Sequence, residues 1–319
     1  MPPNIPKSTK NPTQLIEEIR PGQSIALLQE LHILTREGRL NQDTRRKLKQ
    51  VFHLVRFIEP LLDSVYANLP PGKPGPVLAD HGAGKSYLGF LIYDLYFNVL
   101  HQGAKTTGWI YGVETRPELV EKSRLLAAKL GFARMGFINA SVQEATQSDA
   151  LPPVVDIVTA LHACDTATDD AIAFGLARKA THMLLVPCCQ AEVAGVLRKN
   201  HARLFGGAAH TSHTSKPLAE LWRHPLHARE FGSHITNVLR CLQLEAHGYE
   251  VTVTELVGWE HSMKNELILA SKPANVSAVA AAKKAEAARL RLQAMLGELG
   301  LGDWLAGRFA AGAVNDPVR

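Results

Sequence analysis

The chain has little cysteine and no long apolar run, and each of these two features excludes a class of protein. Four cysteines among 319 residues do not make the disulfide framework of a secreted domain. No apolar stretch reaches the ~18 uncharged residues of a transmembrane helix, and the first ten residues lack the apolar core of a signal peptide. We therefore expect a cytoplasmic protein with no membrane partner.

The composition is that of an ordinary globular protein with an excess of basic over acidic residues. Hydrophobic residues make up 46% of the chain, the formal net charge is +5 and the pI is about 9.0. Cations cluster between residues 36 and 56, and again with histidines between 198 and 240. Such clusters suit an RNA partner, and solvated helix faces produce them equally well. We expect no DNA partner, and the sequence does not indicate an oligomeric state.

Pro- and Gly-rich segments and changes of hydrophobic periodicity divide the chain. Residues 70–76 read P-P-G-K-P-G-P, which is typical of a rigid linker. It separates a segment of helical periodicity from a segment in which strands and helices alternate. The predicted parts are a flexible N-terminus (1–24), a helical extension (25–70), an α/β domain (71–272) and a helical tail with a frayed end (273–319).

The α/β domain is predicted to contain a Rossmann-like, seven-stranded sheet. Strands that alternate with helices indicate parallel pairing through crossover helices. Two alternating patterns joined by a short loop then predict an antiparallel hairpin at the end of the domain. The predicted strands are 77–80, 109–114, 136–139, 154–160, 183–187, 249–257 and 265–270.

The glycine-rich turn after the first strand is the most informative motif. Asp80 ends an apolar run, Gly82 and Gly84 follow, and a helical pattern begins at Tyr87. A ligand at such a junction contacts bare backbone and the positive end of a helix dipole. S-adenosylmethionine and a nucleoside triphosphate are the two nucleotide-like ligands that use it.

Two residues just before this turn, Ala79 and Asp80, favour S-adenosylmethionine over a triphosphate. Gly84-Lys85-Ser86 matches the end of a phosphate-binding loop, but the glycine that such a loop needs five positions earlier is Ala79. Asp80 would repel phosphates, whereas it attracts the sulfonium and ammonium groups of S-adenosylmethionine. A P-loop nucleotide hydrolase, or a glycine turn that binds nothing, remains an alternative at this point.

The second strand also ends in an acidic residue, Glu114. In Rossmann-like units an acid at this point accepts hydrogen bonds from the ribose hydroxyls of the nucleotide. The alternative is a first-turn acid that stabilises the N-terminus of the following helix. We predict the ribose-binding role for Glu114.

Four short motifs, spread over residues 77–270, resemble one protein family. They are H-A-C-D-T-A-T-D at 162–169, G-K-S-Y-L at 84–88, V-P-C-C-Q at 186–190 and H-S-M-K-N at 261–265. In this order they resemble a subgroup of class I S-adenosylmethionine-dependent methyltransferases. The subgroup includes the eukaryotic tRNA 2′-O-ribose methyltransferases and poorly characterised relatives.

The resemblance implies a class I methyltransferase sheet and S-adenosylmethionine as the cofactor. By position, acidic and glycine residues hold the cofactor, residues after the third strand flank its adenine, and the end of the fourth strand borders its methyl group. The implied cofactor-binding residues are Asp80, Gly82, Gly84, Glu114, Ser141, Val142, Ala160 and Leu161.

His162 is the candidate catalytic base, because an imidazole titrates near neutral pH; a structural hydrogen bond to the backbone is its alternative role. Cys188, Lys264 and Asn265 are expected on the substrate side, although Asn265 would equally cap the hairpin. The spacing of His162 and the cysteines does not match a zinc knuckle, so we expect no metal site.

The chain also departs from the subgroup. Ser86 replaces a glycine of the loop, Asp165 replaces the glycine after Cys164, and the cysteines of zinc-finger modules are absent. We therefore predict an S-adenosylmethionine-dependent methyltransferase that acts on RNA, either tRNA or rRNA. The alternatives are a protein or small-molecule methyltransferase, a P-loop hydrolase, and a non-catalytic binding module with the methyltransferase fold.

Overall fold

The computed structural model describes residues 19–38, 42–100, 108–161, 166–187, 191–205, 221, 224–256, 266–274, 276–302 and 307–310. Helices and strands are numbered in chain order. The strands are β1 (Val77–His81), β2 (Trp109–Glu114), β3 (Met135–Asn139), β4 (Ile157–Leu161), β5 (His182–Val186), β6 (Glu250–Glu255) and β7 (Glu266–Ser271). The helices are α1 (Ile25–Glu30), α2 (Gln42–Ala67), α3 (Tyr87–Ile92), α4 (Pro117–Leu130), α5 (Val142–Gln147), α6 (Ala167–Ala177), α7 (Glu192–Phe205), α8 (Pro225–Ala246) and α9 (Ala278–Glu298).

The strands form one seven-stranded sheet in the order β3-β2-β1-β4-β5-β7-β6. Strands β1 to β5 are parallel, and β7 pairs antiparallel with both β5 and β6. The predicted Rossmann-like sheet with a C-terminal antiparallel hairpin is therefore confirmed. Its strand order reverses between β1 and β4, and in open α/β sheets ligands bind at the carboxyl ends of the strands beside such a reversal.

Helices cover both faces of the sheet, and the described residues form an apolar core on each face and a third apolar cluster between α7, α8 and α9. On one face the residues of α1 to α4 pack against the strands around an aromatic cluster that includes Phe90, Tyr93 and Phe137. On the other face α5, α6 and α8 pack against the same strands. Leu28 of α1 and Ile58 of α2 belong to the first core, so the N-terminal helices pack against the α/β part of the chain.

Helix α2 continues through Pro60. An interior proline removes one helical hydrogen bond and costs about 3 kcal/mol. Ile58, Leu62 and Val65 are buried beside it, and burying a large apolar side chain contributes about 1.5–3 kcal/mol. Burial of these three residues is sufficient to offset the loss at Pro60.

Two elements have features that their sequence patterns did not predict. The helix that begins at Tyr87 changes at Tyr93 from α3 to a π-helix, Tyr93–Leu100. Strand β4 begins at Ile157, because Asp156 instead anchors the linker before β1. The Asp156 carboxylate accepts hydrogen bonds from Lys73 Nζ at 2.5 and 2.7 Å and from the Val77 amide at 2.7 Å.

None of the described helices has both the length and the apolar character that crossing a membrane requires.

Candidate cofactor site

The loop between β1 and α3 uses left-handed backbone conformations at three positions. Gly82 and Gly84 have φ values of +63° and +57°, and Ser86 has a φ of +52°. A left-handed conformation costs a residue with a Cβ about 1–2 kcal/mol. Ser86 is not a glycine, so the chain carries backbone strain at that position.

A glycine in the neighbouring strand makes room for Ser86. The Ser86 side chain is buried, and a Cβ added at Gly112 of β2 would lie 2.6 Å from Ser86 Oγ. By contrast, a Cβ added at Gly82 would meet no atom within 4 Å. The loop is therefore packed closely against β2 at Ser86 and open at Gly82, where a ligand can contact its backbone.

Glu114 links the end of β2 to the glycine loop. Its carboxylate accepts a hydrogen bond from the Gly84 amide at 2.8 Å and lies in a bidentate pair with Arg116, at 3.0 and 3.1 Å. Burial alone would raise the pKa of Glu114, but hydrogen bonds from Arg116 and Gly84 outweigh it and hold the pKa at about 2. Glu114 is therefore a fixed anion beside the loop.

Asp80 lies on the other side of the loop, at the junction of β1 and β4. It is 3% exposed and accepts a hydrogen bond from Thr159 Oγ1 at 2.7 Å. Burial raises the pKa of this carboxyl group to about 7, with the Thr159 hydrogen bond opposing the shift. The Asp80 carboxyl group is therefore about half protonated near pH 7, and a nearby cation would favour its ionised form.

His81 is a buried residue of this site for which the sequence predicted no role. The side chain is 1% exposed and meets Phe174 edge to face, with ring centroids 4.2 Å apart. Within the described part of the chain neither ring nitrogen has a hydrogen-bond partner. Burial lowers the pKa of His81 to about 3, so the ring is neutral. The sequence does not predict this burial, because His81 is a single histidine at the end of an apolar strand.

Ser141 and Val142, expected beside the adenine, lie at the start of α5 after β3. Ser141 caps the helix: its Oγ accepts from the Glu144 amide at 3.2 Å and donates to Glu144 Oε2 at 2.8 Å. This capping box accounts for the side chain of Ser141 without a ligand. Val142 is half-buried on the same turn.

Ala160 and Leu161 end β4 next to the glycine loop. Ala160 is fully buried and Leu161 is half-buried. The structure therefore brings the predicted residues of β1, β2 and β4 to one edge of the sheet. Four further predicted residues lie outside the described part of the chain: His162, Cys188, Lys264 and Asn265.

The aspartate of the H-x-C-x-x-x-T-D motif, Asp169, is the centre of a buried ionic cluster. It accepts hydrogen bonds from Arg240 Nε at 2.5 Å and Nη2 at 3.1 Å, and from Arg308 Nε at 2.5 Å. Arg308 also pairs with Glu192 in the first turn of α7. The cluster joins the helices that follow β4 and β5 to α8 and to the C-terminal segment. The motif points to Asp169 in the sequence, but no sequence pattern indicates its arginine partners.

Residues 46–196 match a family model described as a methyltransferase domain. The match starts within α2, contains the glycine loop, Glu114 and Asp169, and ends within α7. The chain is a methyltransferase, and S-adenosylmethionine is its cofactor. The open glycine loop between two carboxylates, Asp80 and Glu114, fits this cofactor. No curated protein matches the chain.

Solved structures with a similar arrangement are distant in sequence. An rRNA methylase from Streptococcus thermophilus is 8% identical, with a TM-score of 0.41 over 68% of this chain and 95% of the other. A magnesium protoporphyrin IX methyltransferase from Synechocystis, with bound S-adenosylhomocysteine, is 14% identical, with a TM-score of 0.38 over 79% and 96%. Fibrillarin from Aeropyrum pernix, with natively bound S-adenosyl-L-methionine, is 14% identical, with a TM-score of 0.35 over 66% and 73%. Similarities at this level carry no argument about substrate.

Proposed function

We propose that this methyltransferase acts on RNA, with tRNA or rRNA as the substrate class, and binds its cofactor over the loop between β1 and α3. The observation that carries the cofactor site is the 2.8 Å hydrogen bond between the Gly84 amide and the Glu114 carboxylate. It fixes an anion at the ribose position of a Rossmann-like unit, directly beside backbone on which the rest of the cofactor can lie.

Each cofactor-side residue has a proposed role. Glu114 accepts the ribose hydroxyls, and Asp80 faces the cationic part of the cofactor. The backbone of Gly82 and Gly84 contacts the methionine part of the molecule. Ser141 and Val142 flank the adenine, and Ala160 and Leu161 border the methyl group.

S-adenosylmethionine supplies an electrophilic methyl carbon on a sulfonium when it is bound. The protein has to align the nucleophile with that carbon and to take a proton from a nucleophile that carries one. We propose His162 as the base, and Cys188, Lys264 and Asn265 as substrate contacts, on the resemblance alone. The buried cluster around Asp169 supports this side of the site, because Arg308 ties the first turn of α6 to the first turn of α7.

Charge supports RNA over the other substrate classes. The chain carries a net charge of +5, and Arg45 and Arg56 are exposed on α2. Salt-dependent attraction to phosphates follows from such a surface. The P-loop alternative is disfavoured by the antiparallel β7 and by Asp80, whose carboxylate would face the phosphates. Proteins and small molecules remain the alternative substrates.

The test is methyl transfer from methyl-labelled S-adenosylmethionine to fractionated extract from cells that lack this protein. We expect the label in the RNA fraction, so that ribonuclease digestion releases it and protease digestion does not. The Asp80→Asn variant should not produce this label. Label in protein or in small molecules would overturn the RNA proposal and leave methyl transfer intact.

Binding experiments test the cofactor site independently of turnover. S-adenosylhomocysteine that binds in calorimetry without transfer to any fraction would indicate a non-catalytic module. Binding of ATP with magnesium, and none of S-adenosylhomocysteine, would indicate a phosphate-binding loop instead.

A further inference from the structure

The Glu114 carboxylate already has as many hydrogen-bond donors as it can use. Oε2 accepts from the Gly84 amide and from Arg116 Nη2, at 2.8 and 3.1 Å. Oε1 accepts from the Arg116 amide, Arg116 Nε and Thr115 Oγ1, at 3.1, 3.0 and 3.3 Å. A carboxylate offers about four lone-pair sites, so the two hydroxyls of a ribose cannot be added to these five donors.

Only some of these donors can leave. The amides of Gly84 and Arg116 are fixed by the chain, because Arg116 is the N-cap of α4 and Pro117 follows it. The Arg116 side chain is 59% exposed and can turn into solvent. Its two N–H donors match in number the two hydroxyls of a ribose.

The guanidinium also lies above the surface where a ligand would sit. A Cβ added at Gly84 would be 3.8 Å from Arg116 Nη2, so this nitrogen lies next to the Gly84 backbone. A ribose that reaches Glu114 has to enter the volume that the Arg116 side chain occupies.

We propose that Arg116 is an internal competitor of the cofactor: it occupies Glu114 in the cofactor-free protein, and the ribose must displace it. The inference rests on the proposed ribose-binding role of Glu114. In this exchange, the two O–H donors of the ribose replace the two N–H donors of Arg116 on the Glu114 carboxylate. The affinity of the protein for its cofactor is therefore lower than the cofactor contacts alone would give, because the Arg116–Glu114 pair must break first. Arg116 thereby sets the affinity of the site without touching the bound cofactor.

The size of this effect follows from the exposure of the pair. Partly exposed ion pairs stabilise proteins weakly, and salt screens them. Removing the guanidinium should therefore tighten binding about two- to fivefold. A supporting role of Arg116, in which it orients the carboxylate for the ribose, predicts the opposite direction.

The test is calorimetric titration with S-adenosylhomocysteine, which lacks the sulfonium and has no net charge near neutral pH. Loss of one positive charge on the protein then has little effect on binding by itself. We expect Arg116→Ala to bind about two- to fivefold more tightly than the unmodified protein. The matched control is Lys122→Ala, which removes an exposed cation from the same helix and should leave the affinity unchanged.

Salt provides a second measurement. In the unmodified protein, S-adenosylhomocysteine should bind more tightly as salt rises, because salt weakens the Arg116–Glu114 pair. Arg116→Ala should remove this dependence. Affinity in Arg116→Ala that is equal to or weaker than that of the unmodified protein would overturn the proposal.

Glu114→Ala separates failure of this inference from failure of the proposed site. If Glu114→Ala binds S-adenosylhomocysteine normally, Glu114 is not the ribose-binding residue and the proposed site is wrong. If Glu114→Ala loses binding and Arg116→Ala gains none, the site stands and the competitor role alone is wrong.

Discussion

Asp80 and His81 are consecutive residues at the end of β1, and their buried side chains lie on opposite faces of the sheet. Asp80 contacts Thr159 of β4, and His81 contacts Phe174 of α6. Burial raises the pKa of Asp80 to about 7 and lowers that of His81 to about 3. The strand end that carries the cofactor loop therefore keeps two titratable groups uncharged between about pH 3 and pH 7.

These two pKa shifts act on stability with opposite signs. Between about pH 4 and pH 7 the unfolded chain has lost the Asp80 proton and the folded protein keeps it, so the free energy of unfolding falls as pH rises. Between about pH 6.5 and pH 3 the unfolded chain binds a proton at His81 and the folded protein does not, so the free energy of unfolding falls as pH falls. Across the overlap, from about pH 4 to pH 6.5, the two contributions offset each other.

Asp80→Asn should remove the first contribution and expose the second. The amide keeps an acceptor for Thr159 without a charge to bury. We expect this variant to be more stable than the unmodified protein at pH 7, by up to about 4 kcal/mol, and to lose stability as pH falls below about 6.5. Urea unfolding at several pH values measures both effects.

His81→Leu is the complementary control. It removes a buried ring without hydrogen-bond partners in the described structure, and it should leave only the fall in stability between about pH 4 and pH 7. Parallel pH profiles for both variants and the unmodified protein would contradict the assignment of these shifts.

Cofactor binding should depend on pH through Asp80. If the carboxylate attracts the cationic part of S-adenosylmethionine, only its ionised form binds well. With a pKa of about 7, affinity should rise about tenfold between pH 6 and pH 8. Calorimetry across this range measures the slope, and Asp80→Asn should bind weakly with no slope. An affinity that is flat from pH 6 to pH 8 in the unmodified protein argues against this role.

The sequence predicted the parts of this site that depend on local pattern. Apolar runs that end in Asp80 and Glu114, with a glycine turn between a strand and a helix, placed both carboxylates at one edge of a parallel sheet. The roles of His81, Arg116 and Arg308 depend on contacts that no local pattern contains. Arg308 lies 139 residues from Asp169 along the chain, and only the folded C-terminal segment brings the two together.

Ser86 and Gly112 should show strong coupling in a double-mutant cycle. Gly112→Ala would place a Cβ 2.6 Å from Ser86 Oγ, and overpacking of this kind costs about 1–3 kcal/mol. Ser86→Gly removes both the hydroxyl and the left-handed strain at φ +52°, so it should stabilise the protein by about 1 kcal/mol. The double variant should recover most of the loss caused by Gly112→Ala.

Thermal unfolding of the four proteins measures the coupling energy. We also expect the Ser86→Gly variant to bind S-adenosylhomocysteine at least as tightly as the unmodified protein, since glycine adopts the same backbone conformation. Additive effects of the two substitutions would show that Ser86 and Gly112 are not in contact.

Asp169 and Arg308 should differ in their effects, although they form the same ion pair. Asp169→Ala removes the carboxylate that pairs with the fully buried Arg240, and breaking a buried ion pair by removing one partner costs about 3–5 kcal/mol. Arg308→Ala leaves the Arg240–Asp169 pair intact and leaves Glu192 partly exposed to water, so its cost should be about 1–2 kcal/mol. Urea unfolding of both variants gives the comparison. Equal losses would mean that Arg240 does not depend on Asp169. A larger loss for Arg308→Ala would make the C-terminal segment the principal support of α6 and α7.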